Sequence, residues 1–180
     1  MKKLAVLFLI LGIAISTFGQ EEIVVAKEKN VLKVNTLALI IRTGAVFYER
    51  ELSDLMSAQL GVAYMNYKVD ETKLDGVGIT PEIRFYVRKN AIDGFYLGPY
   101  LRYNNFGFED ESSSGRYKGF GGGVSFGRQW IFKKGLVIDL FFGGHYTDSS
   151  IELTSGTEEP DFTRIEGFNI RTGFSLGFAF

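Results

Sequence analysis

Hydrophobic and polar positions alternate with a period of two along most of the chain after residue 30, and no window shows a helical stripe. Turn signals separate these runs, and they predict eight strands at 31–42, 44–52, 56–68, 78–89, 94–106, 116–131, 136–147 and 166–180. From the second strand onward, short connections alternate with longer polar ones. This order is typical of an antiparallel up-and-down meander, with turns at one rim and loops at the other.

Each predicted strand has one apolar face and one face of charged residues and glycines. In 78–89, for example, Ile83 and Phe85 alternate with Glu82 and Arg84. A soluble sandwich or a lipocalin-like barrel would turn the apolar face inward, whereas a membrane barrel would turn it toward lipid. Both arrangements have a period of two, so the alternation alone leaves both open.

The distribution of glycine and aromatic residues favours the membrane barrel. Glycines share the charged face, where a narrow barrel interior crowded by long side chains would require them. Aromatic residues concentrate near both strand ends, as in interfacial girdles. The loop-side girdle comprises Tyr64, Tyr103, Phe120 and Tyr146, and the turn-side girdle comprises Phe95, Trp130, Phe132, Phe178 and Phe180. We therefore expect residues 31–180 to form an all-β, eight-stranded antiparallel up-and-down transmembrane β-barrel, whose interior is filled by side chains.

The N-terminal segment has the pattern of a secretory signal peptide. Lys2 and Lys3 precede an apolar stretch at 4–15, and small residues follow it, which predicts a signal peptide at 1–19 and a short periplasmic leader at 20–30. The chain has no cysteine, which excludes disulfides, thiolate metal sites and a lipoprotein anchor. Its net charge of −1 gives no basic footprint for nucleic acid.

Several stretches together are similar to a known family. They are VLKVN (31–35), VFYERELS (46–53), GITPEIRFYV (78–87), GFYLGPYL (94–101), GGGVSFGRQW (121–130), LVIDLFFGG (136–144) and the terminal aromatic residue. In this order they resemble a family of small Gram-negative outer-membrane β-barrels catalogued as a domain of unknown function, of the eight-stranded OmpX/OmpA-type form.

The resemblance implies an outer-membrane location after export, and no activity. The partners it implies are outer-membrane lipids, lipopolysaccharide and the outer-membrane assembly machinery. Phe178 and Phe180 resemble the recognition signal that this machinery reads. We expect a monomer.

Charged residues on the inward-facing side form the first candidate site. They are Lys33, Glu49, Glu82, Arg84, Arg102, Asp139 and Arg171. Because a buried unpaired charge costs several kcal/mol, we expect these side chains to form a network that closes the lumen. A narrow ion channel is the alternative.

His145 is the second candidate, because it shares a face of its strand with Asp139 and Thr147. A rim enzyme that modifies lipids could use such a histidine. Asp139 lies about 20 Å away along an extended strand at ~3.3 Å per residue, however, and no serine has the spacing of a nucleophile. We therefore expect a histidine that faces water at the rim, and a protein that is not an enzyme and holds no metal or cofactor.

Acidic clusters in the three longer connections are the third candidate. They comprise Asp70, Glu71 and Asp75; Glu109, Asp110 and Glu111; and Glu158, Glu159 and Asp161. We expect these acidic residues to lie in solvated loops. The alternative is that they bind divalent cations together with lipopolysaccharide phosphates. Two residues disturb the alternation. Pro81 predicts a bulge. Arg128 falls on the lipid-facing side near the turn rim, where it either reaches lipid headgroups or is turned inward by a bulge.

Overall fold

Eight strands and one short helix make up the part of the chain that the structure describes. The computed structural model describes residues 28–40, 42–69, 72–88, 90–109, 114–155 and 163–180. The helix, α1, spans Thr36–Ile40, and a 3₁₀ turn spans Lys133–Gly135. The strands are β1 (Asn30–Asn35), β2 (Thr43–Ser53), β3 (Met56–Val69), β4 (Thr72–Tyr86), β5 (Gly94–Glu109), β6 (Ser114–Ile131), β7 (Leu136–Ser155) and β8 (Thr163–Ala179).

The strands form one closed antiparallel barrel in sequence order. Each strand pairs with its neighbours along the chain, and β1 pairs with β8 to close the ring. Val31 lies at this seam, opposite Glu49 on one side and Ala179 on the other. The predicted all-β, eight-stranded antiparallel barrel is confirmed. The connections β2–β3, β4–β5 and β6–β7 define its turn side, and the opposite rim is its loop side.

The first predicted strand, 31–42, is wrong beyond Asn35. The chain turns there into α1, whose sequence TLALI is almost entirely apolar and lacks the alternation of a strand. The Asn35 side chain supports the helix start, because its Oδ1 accepts the amides of Leu37 at 3.1 Å and Ala38 at 3.2 Å. β1 is therefore only 6 residues long, whereas β8 has 17.

The loop-side hairpins are longer than predicted. β7 continues to Ser155 through much of the expected loop at 148–164, and β5 continues to Glu109. Polar residues occupy both faces of the β7 extension, so the alternation that marks the rest of that strand fades there. The bulge expected at Pro81 is absent, since the β4–β5 register is the same at Ile79↔Tyr103 and Glu82↔Tyr100.

An apolar floor seals the turn side of the lumen. Val31, Val137 and Ala179 pack there against Ile92, which is fully buried. Ile92 belongs to the β4–β5 turn and has a φ of 65°, a region that β-branched residues rarely adopt. The sequence suggested a plain short turn, but this one folds inward. No helix among the described residues is long and apolar enough to cross a membrane.

Candidate functional site

Lys33 is the centre of a charge network on the turn side of the lumen. Its Nζ lies 2.7 Å from Glu49 Oε2 and 2.8 Å from Asp139 Oδ2, and it also donates to Gln129 Oε1. All four side chains are fully buried. β1, β2, β6 and β7 each contribute one of them, so the contacts cross the barrel from wall to wall.

Arg84 extends this network toward the loop side. Its Nη1 lies 3.1 Å from Glu49 Oε2 and 3.0 Å from Asp139 Oδ2. Its Nε lies 3.1 Å from Glu82 Oε1, and Glu82 Oε2 lies 2.8 Å from Arg171 Nη1. The three carboxylates and three of the four cations therefore form one connected cluster of ion pairs.

Neutral side chains complete the coordination of the carboxylates. Glu49 Oε1 accepts from the hydroxyls of Ser57 and Tyr86, both at 2.6 Å. Asp139 Oδ1 accepts from Tyr96 at 3.0 Å, and Glu82 Oε1 accepts from Ser125 at 2.7 Å. These residues and Gln129 are uncharged and were not among the predicted site residues, although their inward parity was visible in the sequence. Their hydrogen bonds offset part of the cost of burying the charges.

Aromatic rings and glycines fix the positions of the charged groups. The guanidinium of Arg84 lies over the Tyr96 ring, with Cζ 4.0 Å from its centroid. A Cβ added at Gly127 would lie 2.5 Å from Tyr96 Oη, and one at Gly98 would lie 2.6 Å from Glu82 Oε1. Both distances are too short for real contacts, so a larger residue at either position would displace a side chain of the network.

Arg102 stands apart from the other six predicted lumen charges. Its Nε donates to Asn104 Oδ1 at 3.1 Å, and among the described residues it forms no ion pair. Its side chain is half-buried, on the loop side of Arg171. The structure thus places six of the seven charges in contact and leaves Arg102 beside them.

His145 is buried, so the expectation of a water-facing rim histidine is wrong. Its Nδ1 lies 3.0 Å from the Tyr100 hydroxyl, and only 5% of the residue is exposed. Asp139 contacts Lys33 and Arg84 instead, and Thr147 accepts a hydrogen bond from Asn169. Among the described residues, no group of three or more histidine or acidic side chains could hold a metal ion.

The remaining predicted residues lie on the outer surface or outside the described ranges. Phe178 and Phe180 are exposed on the turn side, where the Phe180 backbone pairs with Asn30. Arg128 faces outward between two rings, with Cζ 4.7 Å from the Phe95 centroid and 4.9 Å from the Trp130 ring. The predicted signal peptide, most of the leader and most of the acidic loop residues fall outside the described ranges.

Comparison with known proteins gives one match. A protein-family model described as "Protein of unknown function (DUF3575)" matches residues 5–152. No curated protein and no solved structure matches the chain.

Proposed function

The chain belongs to the DUF3575 family of proteins of unknown function, and we propose that it is an integral β-barrel of a Gram-negative outer membrane with a structural or surface-interaction role. It displays polar hairpins and acidic loops outside the cell and is not an enzyme. Its OmpX/OmpA-type form, its membrane location and its role are all parts of this proposal.

The reversal of polarity across the barrel wall carries the proposal. Glu49 and Arg84 on the inner face are fully buried, whereas Leu97 and Phe126 on the outer face expose 53% and 58% of their surface. A soluble barrel would reverse these positions, because contiguous exposed apolar surface of this extent is unfavourable in water. A hydrocarbon environment would instead stabilise the outer face, and closure of the sheet satisfies the backbone there.

Aromatic side chains at both edges of the apolar surface support a membrane location. Tyr103 and Tyr146 are exposed on the loop side, and Phe95 and Phe178 are exposed on the turn side. Arg128 lies at the turn-side edge, where its guanidinium can reach lipid headgroups while stacking on Phe95.

The packed lumen supports a closed barrel rather than an ion channel. Ion pairs cross the interior through Lys33 and Arg84, and an apolar floor that includes Ile92 lies beneath them. An ion would have to break several buried contacts to pass.

Export and assembly complete the proposal. Residues 1–19 would direct the chain to the periplasm and be removed, and the assembly machinery would read Phe178 and Phe180. Lipids and lipopolysaccharide would then surround the apolar surface.

Cell fractionation tests the membrane location. We expect the mature chain in the outer-membrane fraction, resistant to extraction by alkaline carbonate and released only by detergent. Recovery in the soluble periplasm without detergent would overturn the proposal.

Planar-bilayer recording tests the closed lumen. The purified chain inserted into a bilayer should give no discrete conductance steps, because the ion-pair cluster and the floor block the path. Reproducible unitary steps would identify a channel instead.

A further inference from the structure

We propose that the loop-side half of the lumen binds an anionic group, a carboxylate or a phosphate, between Arg102 and Arg171. This inference concerns the interior of the barrel and does not depend on its location in a membrane. Three observations on the described residues carry it: an excess of one cation among the predicted lumen charges, a buried guanidinium nitrogen without a hydrogen-bond partner, and a stretch of β8 beside it that does not pair with β1.

The seven lumen charges predicted from the sequence comprise four cations and three carboxylates. Glu49 and Asp139 each pair with both Lys33 and Arg84, and Glu82 pairs with Arg84 and Arg171. Every inward-facing carboxylate of the network is therefore engaged with two cations, and none remains for Arg102. A bound anion would restore the balance.

Arg171 offers the anion a fixed donor. Its Nη1 is engaged by Glu82, but its Nη2 is buried and has no hydrogen-bond partner among the described residues. Its guanidinium is held in place over two rings, with Cζ 4.5 Å from the Tyr100 centroid and 4.7 Å from the Phe141 centroid. The side chain is only 5% exposed, so an unpaired Nη2 carries a desolvation cost that an anionic oxygen would offset.

The Arg171 guanidinium lies over the Tyr100 ring, and Arg102 is the next inward-facing residue after Tyr100 on β5, so the two guanidinium groups belong to the same part of the lumen. Arg102 is oriented by Asn104, and two like charges held in this way stabilise an anion placed between them. The cross-strand neighbours of Arg102 and Tyr100 on β6 are Gly121 and Gly123, which lie closely against the β7 backbone at Tyr146 and Gly144. The Tyr100 hydroxyl bonds to His145 Nδ1. Within the described ranges, no carboxylate forms a hydrogen bond or ion pair with Tyr100 or His145.

The seam beside this site is covered by α1 rather than by a paired strand. β1 pairs with β8 only through Ser175–Ala179, so Arg171 lies on the part of β8 that has no β1 partner. Instead, α1 contacts both β2 and β8 there, and Thr36 Oγ1 donates to Phe174 O at 3.0 Å. The exposed residues beside this interruption include Ile40 and Ile170, at 76% and 67%. The proposed anion would be either a free anion or the headgroup of an amphiphile whose chain lies against the exposed apolar residues at the seam.

Calorimetric titration of the full chain in a nonionic maltoside detergent tests the site. Inorganic phosphate and dodecyl phosphate are the two probes, and they separate a free anion from a headgroup. We expect one equivalent of at least one probe to bind, and we expect Arg102→Gln to weaken that binding by about tenfold or more, as for loss of a charged hydrogen bond. Arg102→Gln should still fold, because Arg102 forms no ion pair within the described residues.

Arg116→Gln is the matched control, because Arg116 is exposed on β6 and bonds only to the Asn105 amide oxygen among the described residues. Binding should be unchanged in Arg116→Gln. This control distinguishes binding at the proposed site from adsorption to micelles and from non-specific charge effects. Equal weakening by both substitutions, binding that Arg102→Gln leaves unchanged, or no binding of either probe would each overturn the proposal. Binding of both probes with similar affinity would indicate a free anion, and binding of dodecyl phosphate alone would indicate a headgroup.

Discussion

Lys33 shows how a single side chain can control a buried network. It is fully buried and bonds to Glu49, Asp139 and Gln129, which come from three other strands. Its ammonium group offsets two carboxylates that would otherwise share only Arg84. Removing it would leave two buried carboxylates with one shared cation, a far larger cost than the net worth of an intact ion pair.

Lys33→Met should therefore lower the free energy of unfolding by about 3–5 kcal/mol. The free energy can be measured by urea titration of the protein folded into phospholipid vesicles, with Trp130, the only tryptophan, as the fluorescent probe. Methionine keeps most of the length of the lysine side chain, so the effect reports charge more than packing.

Lys118→Met is the matched control for this prediction. Lys118 pairs with Glu152 at 2.9 Å, but both side chains are 40% exposed. A partly exposed pair of this kind contributes about 0–1 kcal/mol. A loss for Lys33→Met no larger than that for Lys118→Met would contradict the assignment of Lys33 as the centre of the network.

At the level of elements, the sequence predicted the positions of strands that depend on the local alternation of apolar and polar residues. β2, β3, β5, β6, β7 and β8 begin within about three residues of their predicted positions. α1 was missed because five residues form a helix there only with the Asn35 cap and contacts to β2 and β8. The inward turn at Ile92 was missed because a positive φ, not the residue pattern, directs its side chain.

The sequence predicted which charged residues belong to the candidate site, but not which of them form pairs. Inward parity identified the charged residues, but partners such as Lys33 and Asp139 lie 106 residues apart in the chain. Which of them meet depends on the stagger between strands around the closed barrel, which a single-strand pattern does not encode. For the same reason the isolation of Arg102 was not visible in the sequence.

The helix α1 depends on its cap more than on its sequence. Asn35→Ala removes the acceptor for the amides of Leu37 and Ala38, and loss of such a cap costs about 1 kcal/mol. Amide hydrogen exchange at these two positions should therefore become about fivefold faster, since 1 kcal/mol is close to that factor. Asn35→Ser, which retains an acceptor oxygen, should preserve most of the protection. Unchanged exchange in Asn35→Ala would show that packing against β2 and β8 alone holds the helix.

On the scale of the whole molecule, the barrel is polar inside and apolar outside, and this reversal makes stability depend on what surrounds it. In hydrocarbon, the cost of an added outward charge should rise toward the middle of the wall and vanish at the rims. In water, the same substitutions should be close to neutral wherever they lie. The depth dependence of one substitution type therefore separates the two environments.

Val124 and Val87 provide this comparison with an identical change. Val124 lies on β6 halfway between Phe120 and Arg128, is 47% exposed, and has Pro99 and Gly144 beside it in the sheet, so an arginine would meet little steric hindrance. Val87 follows β4 at the turn side and is 76% exposed. We expect Val124→Arg to lower the free energy of unfolding in vesicles by about 2–4 kcal/mol and Val87→Arg by about 0–1 kcal/mol. Urea titration with Trp130 fluorescence measures both, and equal effects at the two positions would contradict a hydrocarbon environment around the middle of the wall.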